Sequence, residues 1–167
     1  MPLQGKFVVN DEIFSPLTIY GVGTFMAFSG KEPYRNQSGC GYIRGRGPLP
    51  PGKYWVLDRP VGGVLSRVWA QTKDIITGGD HSEWFALYRD DGVIDDYTWV
   101  NGVKRGNFRL HPGTVSEGCI TLPRHSDFYA LRNALLRTSA VSVRNTGLSA
   151  YAVIEVIHNN DICRVAQ

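Results

Sequence analysis

Glycine and proline recur along the whole chain, nineteen of one and nine of the other in 167 residues, and they leave no room for long helices. Short strands joined by tight turns suit such spacing. The segments between the breaks agree. Lys6–Asn10, Leu17–Tyr20, Thr24–Ser29, Lys53–Asp58 and Glu83–Arg89 mix β-branched and aromatic residues and read as strands. Between the third and fourth, GCGYIRGRGPLPPG (Gly39–Gly52) is too rich in glycine and proline to be anything but a kinked loop. Val93–Val103 has no clear period, but its Asn101-Gly102 pair is a two-residue hairpin signal. Asn107–His111 and Tyr151–Ile157 read as further strands. Val64–Lys73 reads as a short helix. A second helix starts near Ser126, which can cap it, with Asp127 in its first turn and Phe128, Leu131 and Leu135 on one face. The fold class is mainly β with one or two short helices, a β-rich α+β arrangement. With no repeat or linker, residues 1–167 read as a single domain.

The composition, 43% hydrophobic and 20% charged, excludes a disordered chain and allows one hydrophobic core. A net charge of +3, with basic and acidic residues interspersed, requires no nucleic acid. The single GYIRGRG run (Gly41–Gly47) reads as a cleft rim rather than an RNA-binding segment. Tyr34, Tyr42, Trp69 and Trp99 read as packing before they read as a glycan groove. No window is apolar enough to insert in a membrane. Met1–Phe14 lacks the basic region and apolar stretch of a secretory leader.

Of the three cysteines, Cys40, Cys119 and Cys163, at least one stays free within a monomer. A Cys40–Cys163 bond would tie down the C-terminal tail in an oxidising compartment, though spacing alone does not establish it. The chemistry concentrates in RLHPGTVSEGCITLP (Arg109–Pro123), where a histidine at a strand end, a turn-rich loop and a cysteine entering a second strand follow one another. A thiolate is the nucleophilic form of cysteine, and a nearby imidazole supplies it by taking the proton. Cys119 is therefore the candidate nucleophile and His111 the candidate base. Gly118 lets the backbone turn and lets a carbonyl approach the N–H groups of Gly118 and Cys119 as an oxyanion hole. The plainer reading is a buried structural cysteine beside a structural histidine. Asp95, Asp96 or a backbone carbonyl are the choices for orienting His111. No CxxC or HExxH spacing supports a metal, and no cofactor is expected.

Ser116-Glu117-Gly118-Cys119-Ile120, preceded by His111-Pro112-Gly113, resembles the active-site motif of YkuD-like L,D-transpeptidases, and is most similar to the L,D-transpeptidase effectors of type VI secretion. GPLPPGKYWVLD (Gly47–Asp58) is similar to the family's strand entry, so the resemblance covers roughly residues 20–157. It implies an L,D-transpeptidase-like catalytic domain with catalytic Cys119 and His111, and with Ser116 and Gly118 in support. The family's usual pattern has a second histidine where this chain has Glu117, and an arginine soon after the cysteine where it has Thr121 and Leu122. Arg109, Arg124, Gly113 and Thr114 are the residues left to bind substrate.

The implied reaction cleaves the meso-diaminopimelate–D-alanine bond of peptidoglycan tetrapeptide stems, or exchanges the D-alanine for another D-amino acid, through a Cys119 thioester. The resemblance also implies an antibacterial effector made in the cytoplasm and delivered by secretion machinery to a target's periplasm, with a cognate immunity protein. A monomer is expected. The alternative is a peptidoglycan- or protein-binding module with a structural cysteine.

Overall fold

The computed structural model describes residues 2–59, 83–144 and 146–165. The helix expected at Val64–Lys73, with Trp69, lies outside them. Among the described residues, eleven strands and one helix follow in chain order: β1 (Leu3–Val9), β2 (Ser15–Ile19), β3 (Gly23–Ala27), β4 (Gly52–Asp58), β5 (Phe85–Arg89), β6 (Tyr97–Val100), β7 (Val103–Gly106), β8 (Arg109–Pro112), β9 (Ile120–Leu122), α1 (His125–Arg137), β10 (Val141–Ser142) and β11 (Ser149–His158). The β-rich α+β expectation holds. Strands begin and end where turn residues bracket apolar runs, as in β4, which starts directly after Pro50-Pro51.

The main sheet runs β3-β2-β1-β11-β4-β5-β8-β9, with β10 added beside β11. It curls until its two ends nearly meet. Phe28, just past β3, exchanges two backbone hydrogen bonds of 2.9 Å with Thr121 in β9, which makes the sheet a nearly closed barrel and satisfies both edges at that point. Inside are Phe7, Leu17, Tyr54, Phe85, Leu110, Ile120, Leu122 and Ile154, all almost fully buried. In β11 the inward residues alternate with outward ones, Ala150, Ala152, Ile154 and Val156 facing the core.

Helix α1 lays Phe128, Leu131 and Leu135 on that core, on the stripe their spacing predicts, each burial stabilising by roughly 2 kcal/mol. Its start differs from expectation. Arg124 is the N-cap and makes no side-chain cap bond, and Ser126 lies inside the first turn. Asp127 does sit in that turn, complementing the helix dipole. β6 and β7 form the separate hairpin that Asn101-Gly102 signals, with positive φ at both residues (49° and 78°).

Two parallel pairings were not visible in the sequence. β1 lies beside β11, Leu3 opposite Ala152 through Val9 opposite His158, which brings the first and last strands together. β8 lies parallel to β9, with Leu110 opposite Ile120, His111 opposite Thr121 and Pro112 opposite Leu122. Parallel neighbours ordinarily need a crossover of a dozen or more residues. Here residues 113–119 suffice, because the strands are only four and three residues long and the return path is short. Cys40 and Cys163 are joined in a disulfide with their Cα atoms 4.6 Å apart. Among the described residues, no helix is long and apolar enough to cross a membrane.

Candidate active site

The β8–β9 pairing decides which side chains meet. Leu110, Ile120 and Leu122 face the core, so the intervening Arg109, His111 and Thr121 share the opposite face. Cys119 stands one residue ahead of β9 and two before Thr121, on a bend that follows the positive φ of Gly118. Its electrostatic neighbours are Arg109, Glu117 and Arg105.

His111 is buried and held on three sides. The Trp84 ring stacks on it at 4.1 Å, with the planes 20° apart. Nδ1 lies 2.8 Å from the Pro112 carbonyl, and Nε2 lies 3.1 Å from the Thr121 hydroxyl. A carbonyl only accepts, so Nδ1 carries a proton, and in the neutral ring Nε2 is then the acceptor of the Thr121 hydroxyl. This is the tautomer a general base at Nε2 requires. The orienting group is thus a backbone carbonyl, and Asp96 is engaged elsewhere.

Cys119 is the one free cysteine, half-buried, and its thiol donates a long hydrogen bond of 3.9 Å to the Asn107 carbonyl. Desolvation pushes the thiol up to about 11, against the downward pull of an Arg109 backbone hydrogen bond and of the Arg109 and Arg105 charges. At rest, then, the sulfur is a neutral thiol turned to a backbone carbonyl. Rotation about its Cα–Cβ bond is what brings it toward the imidazole; such catalytic contacts often tighten only with substrate bound.

Ser116, buried, ties the loop in two directions. Its hydroxyl accepts from the Gly30 N–H at 3.1 Å and donates to the Cys119 carbonyl at 3.1 Å. Gly118 has φ of +110°, and a Cβ there would stand 2.2 Å from an Arg105 nitrogen, so both conformation and space require glycine. Glu117, where the transpeptidase pattern has histidine, is exposed and pairs with Lys31 at 2.8 Å.

Of the remaining residues, Arg109 grips Asp96 through two bonds of 2.8 and 2.9 Å, and Arg124 is exposed at the start of α1. Gly113 donates its N–H to the Leu122 carbonyl at 3.1 Å, and Thr114 is exposed. Tyr34 is buried, Tyr42 half-buried and Trp99 exposed. Sequence reasoning missed Trp84, Thr121 and Arg105 as neighbours of the site. For Thr121 a signal existed, the two-residue spacing from Cys119; for the other two, only the folded chain supplies the proximity. An open concavity lined by Asp90, Val93, Ile94, Arg144, Thr146 and Leu148 lies elsewhere and contains none of these residues.

Fold and site together define a small β-barrel-like domain that carries a buried, hydrogen-bonded imidazole on β8 and one free thiol in the loop leading into β9. Compared with known protein families, residues 23–146 match the Tlde1 domain, and the chain belongs to that family. It is a family of type VI secretion effectors. No curated protein and no solved structure matches the chain.

Proposed function

We propose that the chain is a cysteine-dependent peptidoglycan enzyme of the L,D-transpeptidase type, acting on tetrapeptide stems in the periplasm of a target bacterium. The observation that carries this reading is the position of Cys119 at the end of the short loop, residues 113–119, that joins β8, which carries His111, to its parallel partner β9. In the proposed reaction the Thr121 hydroxyl turns away from Nε2, whose freed lone pair takes the thiol proton, and the thiolate attacks the carbonyl between the L-centre of meso-diaminopimelate and the terminal D-alanine. The N–H groups of Gly118 and Cys119 are the candidate donors to the oxyanion. As the C–N bond breaks, the imidazolium returns its proton to the departing D-alanine amine, leaving a thioester. Water then gives an L,D-carboxypeptidase, whereas the amine of a free D-amino acid gives an exchange reaction. No metal or cofactor takes part. Arg109 and Arg124 stay candidates for the substrate carboxylate, Arg124 being the less committed of the two, and Gly113 and Thr114 line the loop beside them.

Membership in an effector family supports delivery by secretion machinery, and a cognate immunity protein is its expected partner. The Cys40–Cys163 bond fits a working place that is oxidising.

One observation favours the alternative, a binding module with a packed cysteine: the thiol is desolvated and turned to the Asn107 carbonyl. The two readings part on a single experiment. Purified protein and its Cys119→Ala variant are incubated with disaccharide tetrapeptide, with and without a D-amino acid, and the products are weighed by mass spectrometry. Loss of D-alanine from the stem, abolished by the substitution, is the expected result. Equal turnover by both proteins, or none by either, sinks the enzymatic reading.

A further inference from the structure

We infer that Arg105 is a positioning residue for this site, its guanidinium setting the loop that carries Cys119 and acting as the buried counter-charge of the thiolate. The inference rests on Cys119 being the nucleophile and adds a residue that no motif points to.

Arg105 lies on β7 and is 4% exposed. Its guanidinium donates to four main-chain carbonyls, Gly41 at 2.7 Å, Pro48 at 3.1 Å, Glu117 at 3.2 Å and Gly47 at 3.3 Å. Three belong to the glycine-proline loop before β4, and the fourth belongs to the loop before Cys119. One side chain therefore clamps two segments far apart in sequence. Among the described residues, no carboxylate pairs with it. A cation buried against neutral carbonyls alone bears its desolvation with no carboxylate to offset it, so a negative charge arising on the adjacent Cys119 would be the first to meet it.

The charge lies against the reacting segment, since a Cβ at Gly118 would stand only 2.2 Å from a guanidinium nitrogen of Arg105. The coupling between the two groups is mutual. Arg105 draws the Cys119 thiol downward, the sulfur's charge draws Arg105 upward, and burial opposes both, holding the arginine down at about 10. When the thiol gives its proton to His111 Nε2, the negative charge left on sulfur meets a positive one already in place. Arg105 itself moves no proton.

Cys119 is the free thiol when the other two cysteines are paired, so iodoacetamide reports on it directly. Alkylation rates at pH 8.5 are compared for the whole chain, Arg105→Lys and Arg105→Gln, with circular dichroism confirming cooperative melting. Arg105→Gln should alkylate about three- to fivefold more slowly, through the lost charge and the loosened Cys119 loop, while Arg105→Lys stays within about twofold of the unsubstituted chain. D-alanine release should fall in the same order through kcat, with KM little changed. A folded Arg105→Gln that alkylates at the unsubstituted rate overturns the inference. If Arg105→Gln does not melt cooperatively, Arg105→Lys decides, and a drop of about threefold or more in that charge-preserving variant overturns it as well. Should alkylation follow the expected order while the unsubstituted chain releases no D-alanine, the peptidoglycan reading fails and the role of Arg105 stands.

Discussion

Thr121 joins structure and chemistry in one residue. Its backbone closes the barrel against Phe28, and its hydroxyl donates to the bare nitrogen of His111. It touches no substrate in the proposed reaction, so its contribution runs through the orientation of the ring. Thr121→Val keeps the shape and the backbone bonds but removes the donor. We expect kcat for D-alanine release to fall about tenfold with KM nearly unchanged, as for the loss of other groups that orient a reactive imidazole. Thr121→Ser should restore most of it. Equal losses in the valine and serine variants would show that the methyl group matters and the hydroxyl does not. Glu117 illustrates the opposite case: its exposed pair with Lys31 contributes little to stability, yet its charge works against thiolate formation next door.

At the scale of elements, the end of β11 anchors the glycine-proline loop. His158 accepts the Gly39 N–H at Nδ1 (2.9 Å) and donates from Nε2 to the Leu49 carbonyl (2.8 Å), an arrangement only the neutral ring can make. Burial holds His158 below the usual histidine range, outweighing the Leu49 bond and the nearby Asp11 and Asp161. The unfolded chain therefore takes up the proton first as pH falls. The stability this histidine contributes is complete above its unfolded value of about 6.5 and is lost progressively as pH drops through that value toward the folded one. Thermal melts should show a falling midpoint between about pH 7 and pH 5. His158→Gln should be less stable at neutral pH by about 1–3 kcal/mol and show a flatter dependence over that window. A variant that keeps the full pH dependence would place its origin in another group.

For the molecule as a whole, the Cys40–Cys163 bond closes a loop of 123 residues and ties the tail beyond β11 to the loop that Arg105 clamps. Loop-closure entropy for a span of this length allows about 4–5 kcal/mol, and measured bonds more often give about 2–4 kcal/mol. Reduction should lower the melting temperature of the unsubstituted chain and leave Cys163→Ser, already lower, unaffected. If reductant moves both equally, the bond is not the cause. The same bond leaves Cys119 as the lone thiol, which makes the reactivity experiments on the site unambiguous.

Much of this protein was legible before any coordinates. The turn-forming residues mark most strand boundaries, the Asn101-Gly102 hairpin forms, and Phe128, Leu131 and Leu135 point into the core, because local backbone preference and side-chain periodicity are properties of neighbouring residues. The candidate pair Cys119 and His111 was legible too, since thiol and imidazole chemistry depends on residue type and both lie in one short segment. What the chain's order does not encode locally is which strands lie side by side. The parallel placement of β8 and β9 puts His111 beside Thr121, barrel closure brings Phe28 to Thr121, and the fold buries Arg105 against Gly118. Such contacts arise from the packing of a single closed core, where register and distance between remote segments are set together, and only the tertiary structure decides them.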